Sequence, residues 1–108
     1  MSNYKIERDK NRCQVVMEGD LTATNAGGLQ AALKQELEQG VNELTFDLGR
    51  TVMLDSSGIG LLIAAYNTMT RSRGRVQVQN VSAEILQLLQ TMRLVTRLNV
   101  NGRTTARV

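Results

Sequence analysis

The chain of 108 residues has no histidine, no proline and no tryptophan, and only one cysteine. Without an imidazole base, a Ser-His-Asp triad cannot form. The usual zinc sites fall away too, because they draw on several His and Cys ligands. A lone Cys13 excludes an intrachain disulfide framework, and its period-two neighbours place it on the buried side of a strand. Aromatic residues make up 3 %, with one Phe and two Tyr. The core must therefore be aliphatic, and stacking platforms for nucleic-acid bases are scarce. No apolar run is long enough to span a bilayer and no signal peptide is visible, so the expectation is a cytoplasmic protein with no membrane contact.

What is present suits a soluble globular chain: 42 % hydrophobic and 21 % charged residues. The length fits a single domain over residues 1–108. Thirteen Lys and Arg against ten Asp and Glu leave a charge of +3, too small to require a polyanionic partner. Arg71, Arg73 and Arg75 do cluster in TRSRGR, but no nucleic-acid-binding signature accompanies them. Direct nucleic-acid binding is not expected; basic groups at a helix end suit the helix dipole.

With proline absent, breaks are read from Gly, Asn and charge. Tyr4 and Ile6 share one strand face, Lys10-Asn11 reads as a turn, and Cys13, Val15 and Met17 share the face of a second strand. Leu29, Leu33 and Leu37 then recur at helical spacing, with Thr22 or Thr24 as cap and Gly40 as stop. Leu44, Phe46 and Leu48 mark a third strand, and a helical crossover favours its parallel pairing. After Gly49-Arg50-Thr51, the residues Val52, Met53 and Leu54 are expected to enter the core. A second helix should run to about Thr70 on Leu61, Leu62, Ala65, Tyr66 and Met69. Val76 and Val78 mark the next strand. Ser82 caps a helix whose stripe is Ile85, Leu88, Leu89 and Met92, and VTRLNV is the expected last strand. The order is β-β-α-β-α-β-α-β, an α/β (α+β-like) mixed sheet with its helices on one face.

One stretch carries the chemistry: LDSSGIGLLIAAY, Leu54 to Tyr66. A serine nucleophile there would lack a base, since histidine is absent and the lysines stand only at 5, 10 and 34. Gly58 and Gly60 give GxG without the ending of a phosphate loop. Two readings survive. Asp55 or Ser56 caps the helix, with the glycines allowing close approach. Alternatively, the serine is a phosphoacceptor, where about −1.5 to −2 charges would be tolerated by the helix start and not by a closely packed partner.

DSSGIG in this setting, with EGDLTATNAGGL upstream, closely resembles the anti-sigma-factor antagonists, small members of the STAS domain family, over about residues 4 to 100. The resemblance implies a mixed sheet of about five strands with helices on one side. It also implies no enzymatic activity and no cofactor. Its implied partners are an anti-sigma factor that is also a serine kinase and a phosphatase of the PP2C kind that restores binding. By position, Ser56 is the phosphoacceptor, with Ser57 the neighbouring hydroxyl. Asp20, Leu21, Thr22, Thr24, Asp55, Ser56, Ser57, Gly58 and Gly60 form the implied docking surface. The alternative is a STAS module in a different partner-switching or signalling assembly, such as secretion control, or one that senses a ligand without phosphorylation.

Two departures stand out. Thr22 occupies a position that is acidic in many relatives, so Asp20 is expected to replace part of that charge. Relatives usually carry glycine in the segment matching Met92-Arg93-Leu94, and Arg93 with the short tail leaves the packing of the C-terminal segment open.

Overall fold

A computed structural model describes residues 3–102. The elements follow the expected order: β1 (Tyr4–Asp9), β2 (Arg12–Met17), α1 (Ala23–Leu37), β3 (Glu43–Asp47), α2 (Ser56–Arg71), β4 (Arg75–Val81), α3 (Ala83–Thr91) and β5 (Val100–Gly102). The sheet has five strands in the order β1-β2-β3-β4-β5. β1 and β2 pair antiparallel across a turn in which Lys10 takes φ 59°. The remaining pairs are parallel, each joined by a helical crossover.

Every crossover steps the same way across the sheet. Right-handed connections then stack α1, α2 and α3 on one face. Burial shows that face directly: Val15, Phe46 and Val78 lie in register on adjacent strands and are fully covered. The alternate residues Gln14, Thr45 and Gln77, also in register, point the other way and leave a polar face open. From the helices, Ala26, Leu29, Leu33, Leu61, Leu62, Ala65, Met69, Ile85 and Leu89 complete the core. Cys13 belongs to it, and burial pushes its thiol up to about 11, so it is an unreactive apolar group there.

Three core expectations need correction. Val52 and Met53 do not enter the core; they are 75 % and 58 % exposed, and only Leu54 of that run is buried. Met92 is the C-cap of α3 and lies 44 % exposed, outside the stripe assigned to it. VTRLNV is not a strand before Val100. Leu94 and Leu98 are both buried, four residues apart, and the Leu98 N–H donates to the Leu94 carbonyl at 2.9 Å. That spacing favours one helical turn, which Asn99 closes at φ 49° before β5 begins. Of the tail NGRTTARV, residues 103–108 lie outside the described residues.

α2 and α3 end alike. Arg73 and Arg93 adopt φ of 63° and 60°, and the next N–H reaches back to Met69 O at 2.6 Å and Leu89 O at 2.9 Å. Glycine fills this left-handed position at least cost; a side chain there costs about 1–2 kcal/mol. Arg93 thus takes a conformation that glycine would suit, and Leu94 is buried beneath the cap.

Candidate functional site

The site lies where β2 and β3 run out at the same end of the sheet. Each strand is followed by a loop and then by the N-terminus of a helix. The two loops are stitched together by backbone. Leu21 and Leu54 form a parallel bridge, the Leu21 N–H donates to Met53 O at 3.1 Å, and the Asp55 N–H donates to Leu21 O at 3.4 Å. Leu21 to Thr24 therefore lies directly beside Asp55 to Gly58.

Side chains fix the loops further. One carboxylate oxygen of Asp20 accepts from the N–H groups of Val52 at 2.9 Å and Met53 at 3.0 Å. Thr51, buried to 1 % exposure, donates its hydroxyl to the Gly19 carbonyl at 2.8 Å. Asn25 works in both directions: its amide donates to Asp20 O at 2.7 Å while its side-chain oxygen accepts from the Thr22 N–H at 3.0 Å. Thr22, not Thr24, is the N-cap residue of α1.

Asp55 is the hinge pin. Its Oδ1 accepts from the Gly58 N–H at 3.0 Å, which caps α2, and its Oδ2 accepts from the Ala23 N–H at 3.0 Å, the first residue of α1. One carboxylate thus satisfies unpaired amides of two helices and sits at the positive end of both dipoles. The Gly58 bond, then the Ala23 bond, holds its pKa below the usual carboxylate value. Asp20 is lowered likewise, first by the Met53 and then by the Val52 amide. A carboxylate made less basic in this way is ill suited to deprotonate the neighbouring serines as a general base.

Both depressed values give stability a defined pH dependence. The unfolded chain binds these protons near pH 4, the folded chain only at lower pH, so stability rises with pH through that window. Melting temperature is expected to be flat above about pH 5 and to fall on acidification below about pH 4. An Asp20→Asn, Asp55→Asn double variant should start lower at neutral pH and show a shallower acid fall. An identical acid profile in both proteins would contradict the assignment.

The docking residues expected from the sequence separate into two groups. Ser56 and Ser57 are exposed, their hydroxyls make no hydrogen bond among the described residues, and Thr24 and Gly60 are exposed nearby. Leu21 and Gly58, by contrast, are buried. Neither presents a side chain to a partner; they hold α2 against the first loop. A Cβ on Gly58 would meet Leu21 O at 2.5 Å and Leu54 Cδ1 at 2.7 Å. Asp20 keeps an exposed carboxylate two residues before Thr22, with one of its oxygens accepting from the Val52 and Met53 amides, so that charge is held in place at the loop. Thr51, Asn25, Val52 and Met53 were not expected at the site, and no local pattern marks them.

Elsewhere, a groove of about 370 Å³ between α1 and α2 is lined by Leu33, Leu37, Leu61 and Ala65, with Lys34 and Arg71 beside them. It contains none of the residues of the paired loops. Among the described residues no cluster of His, Cys, Asp or Glu could hold a metal ion, and no helix is long and apolar enough to cross a membrane.

Residues 4–100 match the family described as "Mlab, STAS domain". The chain belongs to the STAS domain family. Among curated proteins it is 24 % identical over 86 residues to the anti-sigma-B factor antagonist of Bacillus subtilis (strain 168), covering 80 % of this chain and 78 % of that protein. Its fold is shared with the anti-sigma factor antagonist SpoIIAA. Against the unphosphorylated form the TM-score is 0.72 at 19 % identity, covering 89 % of this chain and 97 % of that one. For the phosphorylated Bacillus SpoIIAA it is 0.77 at 20 % identity, with 94 % and 91 % covered. An anti-sigma factor antagonist from Mycobacterium paratuberculosis gives 0.78 at 18 % identity, with 91 % and 83 % covered. The STAS sheet of five strands with helices on one face is therefore the fold of this chain.

Proposed function

We propose that this STAS domain is an anti-sigma-factor antagonist. In this reading it binds a serine-kinase anti-sigma factor while Ser56 is unmodified and is released when Ser56 is phosphorylated. The observation that carries the reading is the placement of Ser56 on the first turn of α2, exposed and with its hydroxyl unengaged, while Asp55 alone caps the helix. Modification of Ser56 therefore removes no hydrogen bond on which the fold depends.

The kinase partner transfers the γ-phosphoryl group of ATP to the Ser56 oxygen; the hydroxyl proton leaves to a base on the partner, and ADP departs. The new group carries about −1.5 to −2 charges at neutral pH. Within the domain it sits at the positive end of α2, where such a charge is tolerated. In the complex it faces the nucleotide phosphates that the kinase must bring to the same serine. The fold survives and the contact is lost. A PP2C-type phosphatase returns the serine by hydrolysis and resets the switch. Anti-sigma antagonism requires no reaction catalysed by the domain itself, and the role is placed in the cytoplasm.

The test is binding of the host's serine-kinase anti-sigma factor to four forms: wild type, Ser56→Ala, Ser57→Ala and wild type phosphorylated at Ser56. Wild type and both alanine variants are expected to bind alike, and the phosphoprotein at least tenfold more weakly. Kinase treatment should label the Ser57→Ala protein and leave the Ser56→Ala protein unlabelled. Equal binding by the phosphoprotein would overturn the reading.

A further inference from the structure

We propose that Val52 and Met53 are the anchor by which the docking surface is gripped, and that the protein partner offers an apolar socket with basic groups at its rim. The inference rests on the partner-binding reading of the Ser56 region and specifies what that partner must look like.

Three observations carry it. Val52 and Met53 are 75 % and 58 % exposed, while among the described residues the other large apolar side chains are nearly all covered. They are adjacent, and the chain leads from them through Leu54 and Asp55 straight to Ser56. Their exposure is also built in: Asp20 accepts from both of their amides and the bridge from Leu21 to Leu54 holds the loop on its far side, so neither can fold inward. A side chain presented on a fixed backbone pays little ordering cost on binding, which is the property of an interface anchor.

The surrounding charge selects the partner. The carboxylates bonded to this loop and to the start of α2 are Asp20 and Asp55. Arg50, the nearest cation in sequence, instead lines a hollow over the open sheet face with Lys5, Glu7 and Asp47. An apolar knob flanked by carboxylates matches a socket edged by Lys or Arg, and such a pairing speeds encounter at low salt.

The experiment uses the full chain and the purified host kinase–anti-sigma factor, with Val52→Ser, Met53→Ser and the double variant. Because both side chains are exposed, the variants should melt within a few degrees of wild type. The double variant is expected to bind at least tenfold more weakly, and the wild-type association rate to fall severalfold as salt rises from about 50 to 500 mM. Binding within twofold of wild type would overturn the anchor, and a salt-independent association rate would overturn the basic rim. Phosphorylated wild type, run in parallel, separates the two ideas. If it binds normally while the double variant does not, the switch fails and the anchor stands. If wild type itself does not bind, both are overturned.

Discussion

A Gly58→Ala protein is expected to melt well below the parent, whereas Gly60→Ala, two residues on in the same helix, is expected to melt slightly above it. In a helix interior, alanine is favoured over glycine by about 1 kcal/mol. At Gly60 nothing lies within 4 Å of a new Cβ, so that gain is realised. At Gly58 the Cβ falls 2.5 Å from the Leu21 carbonyl oxygen, 2.7 Å from Leu54 and 2.9 Å from Leu21 Cγ. The two leucines could shift a little. The carbonyl cannot, because Leu21 is tied at its own N–H to Met53 and at its oxygen to the Asp55 N–H. Relief requires α2 to lift from the loop, which breaks the Asp55 bridge to α1. Overpacking of this kind costs about 1–3 kcal/mol and outweighs the helix gain. Thermal melts of the two variants check it; a Gly58→Ala protein as stable as Gly60→Ala would show that the contact is soft.

Phe46→Ala is expected to have the largest effect on stability. Phe46 is the sole Phe in the chain, sits on the central strand β3 between Val15 and Val78, and is fully covered. Its neighbours on the sheet are β-branched aliphatics fixed by strand pairing, so they close poorly over a void. Truncation removes the transfer energy of the ring and leaves a cavity, together about 3–5 kcal/mol. That is a large share of the about 5–15 kcal/mol typical of a domain. Urea unfolding should show the midpoint sharply lowered with little change in slope, and Phe46→Leu should recover most of the loss. A loss below about 1 kcal/mol would mean the core had collapsed into the space.

Local pattern was enough to read the strands and helices, because period-two and helical spacing both end at Gly, Asn or a capping residue. It failed where a long-range bond overrides the pattern. Val52 and Met53 look like core residues in sequence. They face outward because Asp20, more than thirty positions away, claims their amides. Leu98 reads as part of a strand run, yet it is buried together with Leu94, four residues earlier, on a helical turn. Met92 has the right phase for the α3 stripe but falls at the cap, where the chain leaves the core. In the site, Ser56 and its neighbours were legible from one motif. Which of them face outward was not: Leu21 and Gly58 are buried by the pairing of two loops that sequence lists far apart.

The strand order repeats the order of synthesis. Each new strand joins the outer edge left by the one before it, and none is inserted between partners already paired. A chain emerging from its N-terminus can therefore complete the β1-β2 hairpin first and add one crossover unit at a time, without undoing earlier pairing. The bonds that pair the Ser56 loop with the loop after β2 involve only residues 19–23 and 51–58. The surface proposed to meet a partner can thus begin to take shape while β4, α3 and β5 are still to be made.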